Sequence, residues 1–256
     1  MNRIQLSLAG INALALISAS IMSAQTPEVK VKPPLYSYAS FWQIPRAQWP
    51  EMAKQDAADK PIFDKALANG TIIGYGNDAS VVHDPDADTH ADWWSSMSMA
   101  GLLDVHDQLS NAGPAPVLDS ATKHWDVILV ARYYNWRPGS WQKLYTYGGW
   151  YKLKPGAPSD AVETLSKTLL APLLEKLLAD GTLVQYEIDT EAVHTHASPA
   201  GFWILSLAAN TEAVDKVNAA VREAEKENPL GWAAFDSMVD SEQQQSYMAR
   251  ANAAYK

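Results

Sequence analysis

Pro61-Ile62-Phe63-Asp64-Lys65-Ala66-Leu67-Ala68-Asn69-Gly70-Thr71-Ile72-Ile73 is matched 111 positions later by Pro172-Leu173-Leu174-Glu175-Lys176-Leu177-Leu178-Ala179-Asp180-Gly181-Thr182-Leu183-Val184. Pro, Lys, Ala, Gly and Thr are identical, and the other positions keep their character. The match extends through Tyr75 with Tyr186 and Val82-His83 with Val193-His194. After a small length change, Trp93-Trp94 faces Phe202-Trp203, and upstream Phe41-Trp42 faces Trp150-Tyr151. A period of about 110 residues is far longer than that of a solenoid, so the pattern reads as a duplicated domain.

Working outward, each half shows the same order of elements. An aromatic, β-branched strand comes first, over 35–44 and 145–153, and a helix follows. In the second half Val162, Leu165, Leu169, Leu173 and Leu177 recur at steps of three and four, which makes one apolar stripe. Gly70 and Gly181 stand where a helix end favours positive φ, and Pro61 and Pro172 should kink or restart the helices that contain them. Two strands are expected next, 71–82 with 90–99 and 182–193 with 201–208, joined by turn-like connections. A second helix follows in each half, and 126–130 reads as a fourth strand. The stretch 136–149 is less regular, and the Gln- and Ala-rich tail reads as a terminal helix. The expected domains are a leader over 1–24, repeats over 35–136 and 145–235, and a helical tail over 236–256.

The β-α-β-β-α-β order is that of the ferredoxin-like unit. With the helix end Leu67-Ala68-Asn69-Gly70-Thr71-Ile72-Ile73, it resembles the dimeric α+β barrel superfamily over roughly residues 35–230. The resemblance implies an α+β fold: two tandem ferredoxin-like (βαββαβ) units paired as an intramolecular α+β barrel. That superfamily includes cofactor-independent monooxygenases, chlorite-dismutase-like haem proteins and simple ligand binders. No catalytic motif of any of them matches this chain residue by residue.

The 256 residues are 47% hydrophobic and 19% charged, with 10 Trp, 11 Tyr and no Cys. That is ample material for a core and excludes disulfides, thiolate catalysis and Cys-bound metal or iron–sulfur clusters. A net charge of -9 argues against a broad nucleic-acid or anionic-lipid footprint. Arg3, an apolar stretch ending near Met22, and the small residues Ser23 and Ala24 follow the order of a secretory signal peptide. The expectation is an exported protein, periplasmic or secreted, without stable membrane insertion after cleavage.

Two constellations carry candidate chemistry. His83 and His90 bracket the acidic turn Asp84, Asp86, Asp88, and His194 with His196 form an H-x-H pair at the matching end of the other half. These four are candidate metal ligands and, with Tyr75 and Tyr186, candidate proton-transfer groups. A haem would need an axial His, for which His106 and His124 are available. The cofactor is left open between none, a metal and haem. The second constellation is aromatic: Tyr36, Tyr38, Trp42, Trp93, Trp94, Tyr134 and Trp203, with Arg132, are the candidate ligand-binding set, weighed against plain core packing. No nucleophile elbow or phosphate-binding loop occurs. The expected function is an exported small-molecule-binding protein with an aromatic cavity and no nucleic-acid partner. The alternatives are a cofactor-independent monooxygenase or isomerase, and a structural or interaction module.

Overall fold

A computed structural model describes residues 29–193 and 201–256. Eight antiparallel strands form it: β1 (Leu35–Gln43), β2 (Gly74–Ser80), β3 (His90–Ser96), β4 (Lys123–Trp136), β5 (Gly139–Lys152), β6 (Leu183–Glu191), β7 (Gly201–Ala208) and β8 (Gln245–Tyr255). They close into a barrel in the order β1-β3-β2-β8-β5-β7-β6-β4. Within the first half the order is β4-β1-β3-β2, and within the second it is β8-β5-β7-β6. The halves are joined at two seams, β2 with β8 and β4 with β6. Closure leaves no free sheet edge, which removes the usual route to edge-to-edge aggregation.

The helices lie on the outside. Helix α1 (Trp49–Asn69) and α2 (Met99–Ser110) cover the first half, with the short α3 (Pro116–Asp119) following. On the second half lie α4 (Ala161–Leu165), a π-helical turn (Ser166–Leu170), α5 (Ala171–Ala179), α6 (Thr211–Glu227) and α7 (Pro229–Met238). The two internal prolines act differently. Helix α1 runs through Pro61 as one element, whereas Pro172 sits at the start of α5, directly after the π turn. A proline there lacks the N–H that the wider turn would otherwise have to place. Gly70 and Gly181, with φ of 76° and 83°, end the paired helices as their spacing implies. Ser98 caps α2 by accepting from the Gly101 amide at 3.1 Å, and Asn210 caps α6 by accepting from Ala213 at 2.9 Å. Each such cap contributes about 1 kcal/mol.

Strand alternation sorts the side chains into an outer and an inner layer. Outward residues meet the helices in two cores. Tyr38, Phe63, Trp94, Leu102 and Val105 form the first, and Leu174, Leu177, Tyr186, Phe202, Val217 and Phe235 belong to the second. Inward residues at one end of the barrel plug it, with Leu35, Ala131 and Tyr134 packed beside Ile73 and Trp136.

Two expectations are corrected. Beyond the end of α7 the tail over 236–256 holds only a short 3-10 turn, Ser241–Gln243, before Gln245–Tyr255, which is β8 and not the expected helix. Its alanines favour a helix locally, but Ala249, Ala251 and Ala253 alternate with the exposed Arg250 and Asn252, and the strand pairs with β2 and β5 on both sides. Tertiary pairing overrides the local preference. The stretch 136–149 is mostly the regular strand β5, with a bulge between Trp141 and Leu144. Among the described residues no helix is long and apolar enough to cross a membrane.

Candidate functional site

Small inward residues leave the barrel hollow toward its other end. Ser37, Ala39, Ala91 and Ser95 occupy positions where larger side chains would fill the space. The result is a cavity of about 590 Å³, within the range of small-molecule sites. Its mouth lies where Phe41 stacks on Trp125 at 5.5 Å and where Val82, Asp84 and Asp86 follow β2. Deeper aromatic walls come from Trp93, Trp203, Tyr247 and Tyr255. Gly76 lets the Trp93 ring lie across β2, because a Cβ there would collide with that ring and with the Asn252 carbonyl.

The polar groups inside are acidic. Asp78 on β2 accepts a hydrogen bond from the Thr146 hydroxyl at 2.7 Å. Burial pushes its carboxyl up to about 7, with the Thr146 hydroxyl opposing and Asp88 reinforcing the shift. Asp88 accepts from Ser80 and from the Tyr247 hydroxyl, both at 3.2 Å, and burial raises it as well. On β6, Glu187 accepts from the Ser37 hydroxyl at 2.8 Å, which also contacts Ser95 at 2.8 Å. Burial raises Glu187 despite that donor. Asp189, level with Ala131 and Trp203 in the neighbouring strands, is 0% exposed and accepts from no ordinary donor, its carboxyl lying against that of Glu187. Burial and then the Glu187 charge drive its pKa up, which favours a proton held between the two carboxyls. The Trp203 indole N–H and the Tyr255 hydroxyl are buried without partners. Orphaned polar atoms of this kind cost about 1–3 kcal/mol each unless something satisfies them.

The candidate residues from the sequence divide between the two faces. Trp93 and Trp203 line the cavity. Tyr36, Tyr38, Trp42 and Trp94 do not, because on these strands the alternation turns them toward the helices. Tyr38 stacks on Trp94 at 4.4 Å, the Trp94 indole donates to the Leu102 carbonyl at 3.0 Å, and Trp42 stacks on His124 at 3.6 Å. Tyr36 packs at the edge of the same layer. Arg132 is exposed beside the bulge in β4, and Tyr134 belongs to the plug, its hydroxyl donating to the Pro33 carbonyl at 2.9 Å.

The titratable candidates also lie outside. His83 is exposed and tilts against Trp49 at 4.9 Å, while His90 is 9% exposed and meets the same ring edge-on at 5.6 Å. Burial, with the His83 charge adding, lowers His90 to about 4, so it stays neutral at physiological pH. Among the described residues no three His, Asp or Glu side chains are arranged to hold a metal ion. His194 and His196 lie outside the described residues. His106 packs at 5.3 Å from Tyr38 and His124 stacks on Trp42, so neither available His lines the cavity as an axial ligand would. Tyr75 donates to Asp64 at 2.5 Å, and Tyr186 donates to Glu175 at 2.7 Å. These are equivalent tyrosine–carboxylate pairs of the two halves. Burial and then the hydrogen-bonded carboxylate raise both phenols, so both stay protonated. They tie helix to sheet and do not face the cavity.

The residues missed by the sequence reading are Phe41, Asp78, Trp125, Glu187, Asp189, Tyr247 and Tyr255. Strand parity was the available signal. In Gln185-Tyr186-Glu187-Ile188-Asp189 the acids alternate with apolar residues on a strand buried on both faces.

No family model and no curated protein matches the sequence. Solved structures do match in fold. A "putative monooxygenase" from Lactobacillus acidophilus aligns over 88% of this chain and 97% of its own at 14% identity, with a TM-score of 0.63. A "putative monooxygenase" from Fusobacterium nucleatum aligns over 88% and 95% at 8% identity, with a TM-score of 0.61. An anthrone oxidase-like protein aligns over 86% and 92% at 12% identity, with a TM-score of 0.52. At these identities the likeness shows fold alone. The chain therefore shares its overall fold, a closed barrel with helices outside, with these structures, and its candidate site lies inside the barrel.

Proposed function

We propose that the protein is an enzyme that binds a small, flat aromatic molecule inside the barrel and removes a proton from it with a buried carboxylate, Asp78. The observation that carries this reading is the placement of Asp78 in the cavity wall, with a pKa of about 7 and aromatic rings around it. A base poised near the working pH combines a useful ionised fraction with real proton affinity. Glu187 and Asp189, sharing a proton across the cavity wall, supply the complementary acid. The fold likeness to proteins described as monooxygenases and as anthrone oxidase-like supports this reaction class. Anthrone itself illustrates the chemistry: loss of a methylene proton leaves an enolate, and anthrone plus dioxygen gives anthraquinone plus water.

The matching strand orders of the two halves and the 111-residue repeat support a tandem pair of ferredoxin-like units within one chain. The basic start, apolar middle and small-residue exit of residues 1–24 support export with cleavage of that segment, testable by sequencing the N-terminus of the protein recovered outside the cytoplasm.

The functional test is oxygen uptake with anthrone as probe, in the unaltered protein and in Asp78→Asn. Uptake that falls about 10²-fold or more in the variant supports the reading. Anthrone bound in the barrel without any turnover would replace it with the second reading, a binding protein, which the unsatisfied Trp203 and Tyr255 groups favour on their own.

A further inference from the structure

Among the described residues the cavity wall is acidic and aromatic. Asp78, Asp88 and Glu187 line its interior, Asp84 and Asp86 stand at its mouth, and no Lys, Arg or His side chain of the described residues is part of its lining. Lys123 engages the mouth, its Nζ reaching Asp86 at 2.7 Å. Trp93 and Trp203 offer ring faces beside these carboxyls. The Tyr255 hydroxyl, in a residue 4% exposed that lines the same space, has no partner.

We propose that this cavity selects organic cations, specifically an aromatic or apolar body carrying a protonated amine, and rejects carboxylates of the same shape. This names the substrate class of the site described above and rests on that reading. An ammonium group supplies what the described lining lacks: a positive charge beside Asp78 and Glu187, which adds a charge-assisted contact to carboxyls held only by neutral donors. The aromatic rings add cation–π attraction, which strengthens in a site removed from water. An anion in the same position would face several carboxyls with no compensating charge, and each such contact repels more strongly inside the protein than in water. The acidic mouth acts earlier on the path of entry, drawing cations toward the opening.

Three probes of nearly equal shape separate charge from fit: phenethylamine, 2-phenylethanol and phenylacetate, titrated calorimetrically into the full chain at pH 7.5. The expected result is that the amine binds about tenfold or more tightly than the alcohol and that the acid does not bind measurably. Asp78→Asn and Glu187→Gln should each reduce the preference for amine over alcohol by about fivefold or more. Two variants are used so that a folding defect in one leaves the test intact. Equal binding of amine and alcohol, or tighter binding of the acid, overturns the cation proposal while leaving the barrel cavity as an aromatic site. Failure of all three to bind overturns the cation proposal and the barrel-site reading together.

Discussion

The same eight strands present two unlike surfaces. On the outer face many polar tips are paired: the Trp94 indole reaches a helix carbonyl, Tyr186 reaches Glu175, and Tyr75 reaches Asp64. On the inner face the Trp203 indole and the Tyr255 hydroxyl keep buried polar atoms without partners beside a cavity of about 590 Å³. Unpartnered tips also occur outside, on Trp42, Tyr133 and Trp232, but those lie among packed side chains, whereas the inner ones border open space. An orphaned group beside open space can be satisfied by a ligand, so the proposed function assigns stability to the outer cores and chemistry to the inner face.

The largest test of that division is kinetic. Asp78→Asn should lower turnover of a cavity substrate by about 10²–10⁴-fold, whereas His90→Gln, which touches only the outer face, should leave it within about twofold. Equal losses in steady-state rates would break the comparison. Next is Phe202→Ala, which empties a position 0% exposed between Tyr151 and Phe235. It should cost about 3–5 kcal/mol in urea denaturation. Ser37→Ala on the inner face should cost only about 1–2 kcal/mol, the loss of one hydrogen bond to Glu187.

A third test uses pH. Folding raises the Asp78 carboxyl to about 7, so the native state keeps a proton that the unfolded chain releases at acid pH. The stability linked to that proton is complete below the ordinary Asp value near 4 and is lost as pH rises toward 7. Asp78→Asn removes this loss, and at pH 8 the variant should be more stable than the parent by about 2–4 kcal/mol. At pH 4 the difference should shrink to near zero in the same denaturation series. A variant less stable than its parent at pH 8 would show that the ionised carboxylate is compensated inside the barrel. The smallest effect separates the equivalent tyrosines. Tyr186→Phe, at a buried position, should cost about 1–2 kcal/mol, and Tyr75→Phe, at a more exposed one, about 0.5 kcal/mol. Thermal unfolding of both variants measures the ratio.

Much of the architecture was legible in the sequence because duplication gives two readings of each element. Gly70 and Gly181, the helices before them and the paired strands after them stand as the repeat implies. The last strand was hidden because its alanines favour a helix locally, and only pairing with β2 and β5 makes it a strand. The site was less legible, for a different reason. Tyr36, Tyr38 and Trp42 share one face of β1, but sequence alternation separates two faces without saying which one a helix covers. The residues that make the cavity, Ser37, Ala39 and Ala91, are inconspicuous because their contribution is the space they leave. Asp78 and Glu187 carry no metal-ligand spacing and no catalytic motif. Their chemistry arises from burial, which closure of the barrel creates.

Filling that space tests the central claim most directly. Ala39 lines the cavity from β1, so Ala39→Trp should occupy much of it without touching the outer cores. Calorimetric titration of the variant with a ligand that binds the unaltered protein should show affinity reduced about 100-fold or more, with the protein still folded by circular dichroism. Undiminished affinity in a folded Ala39→Trp protein would place the binding site outside the barrel and contradict the account.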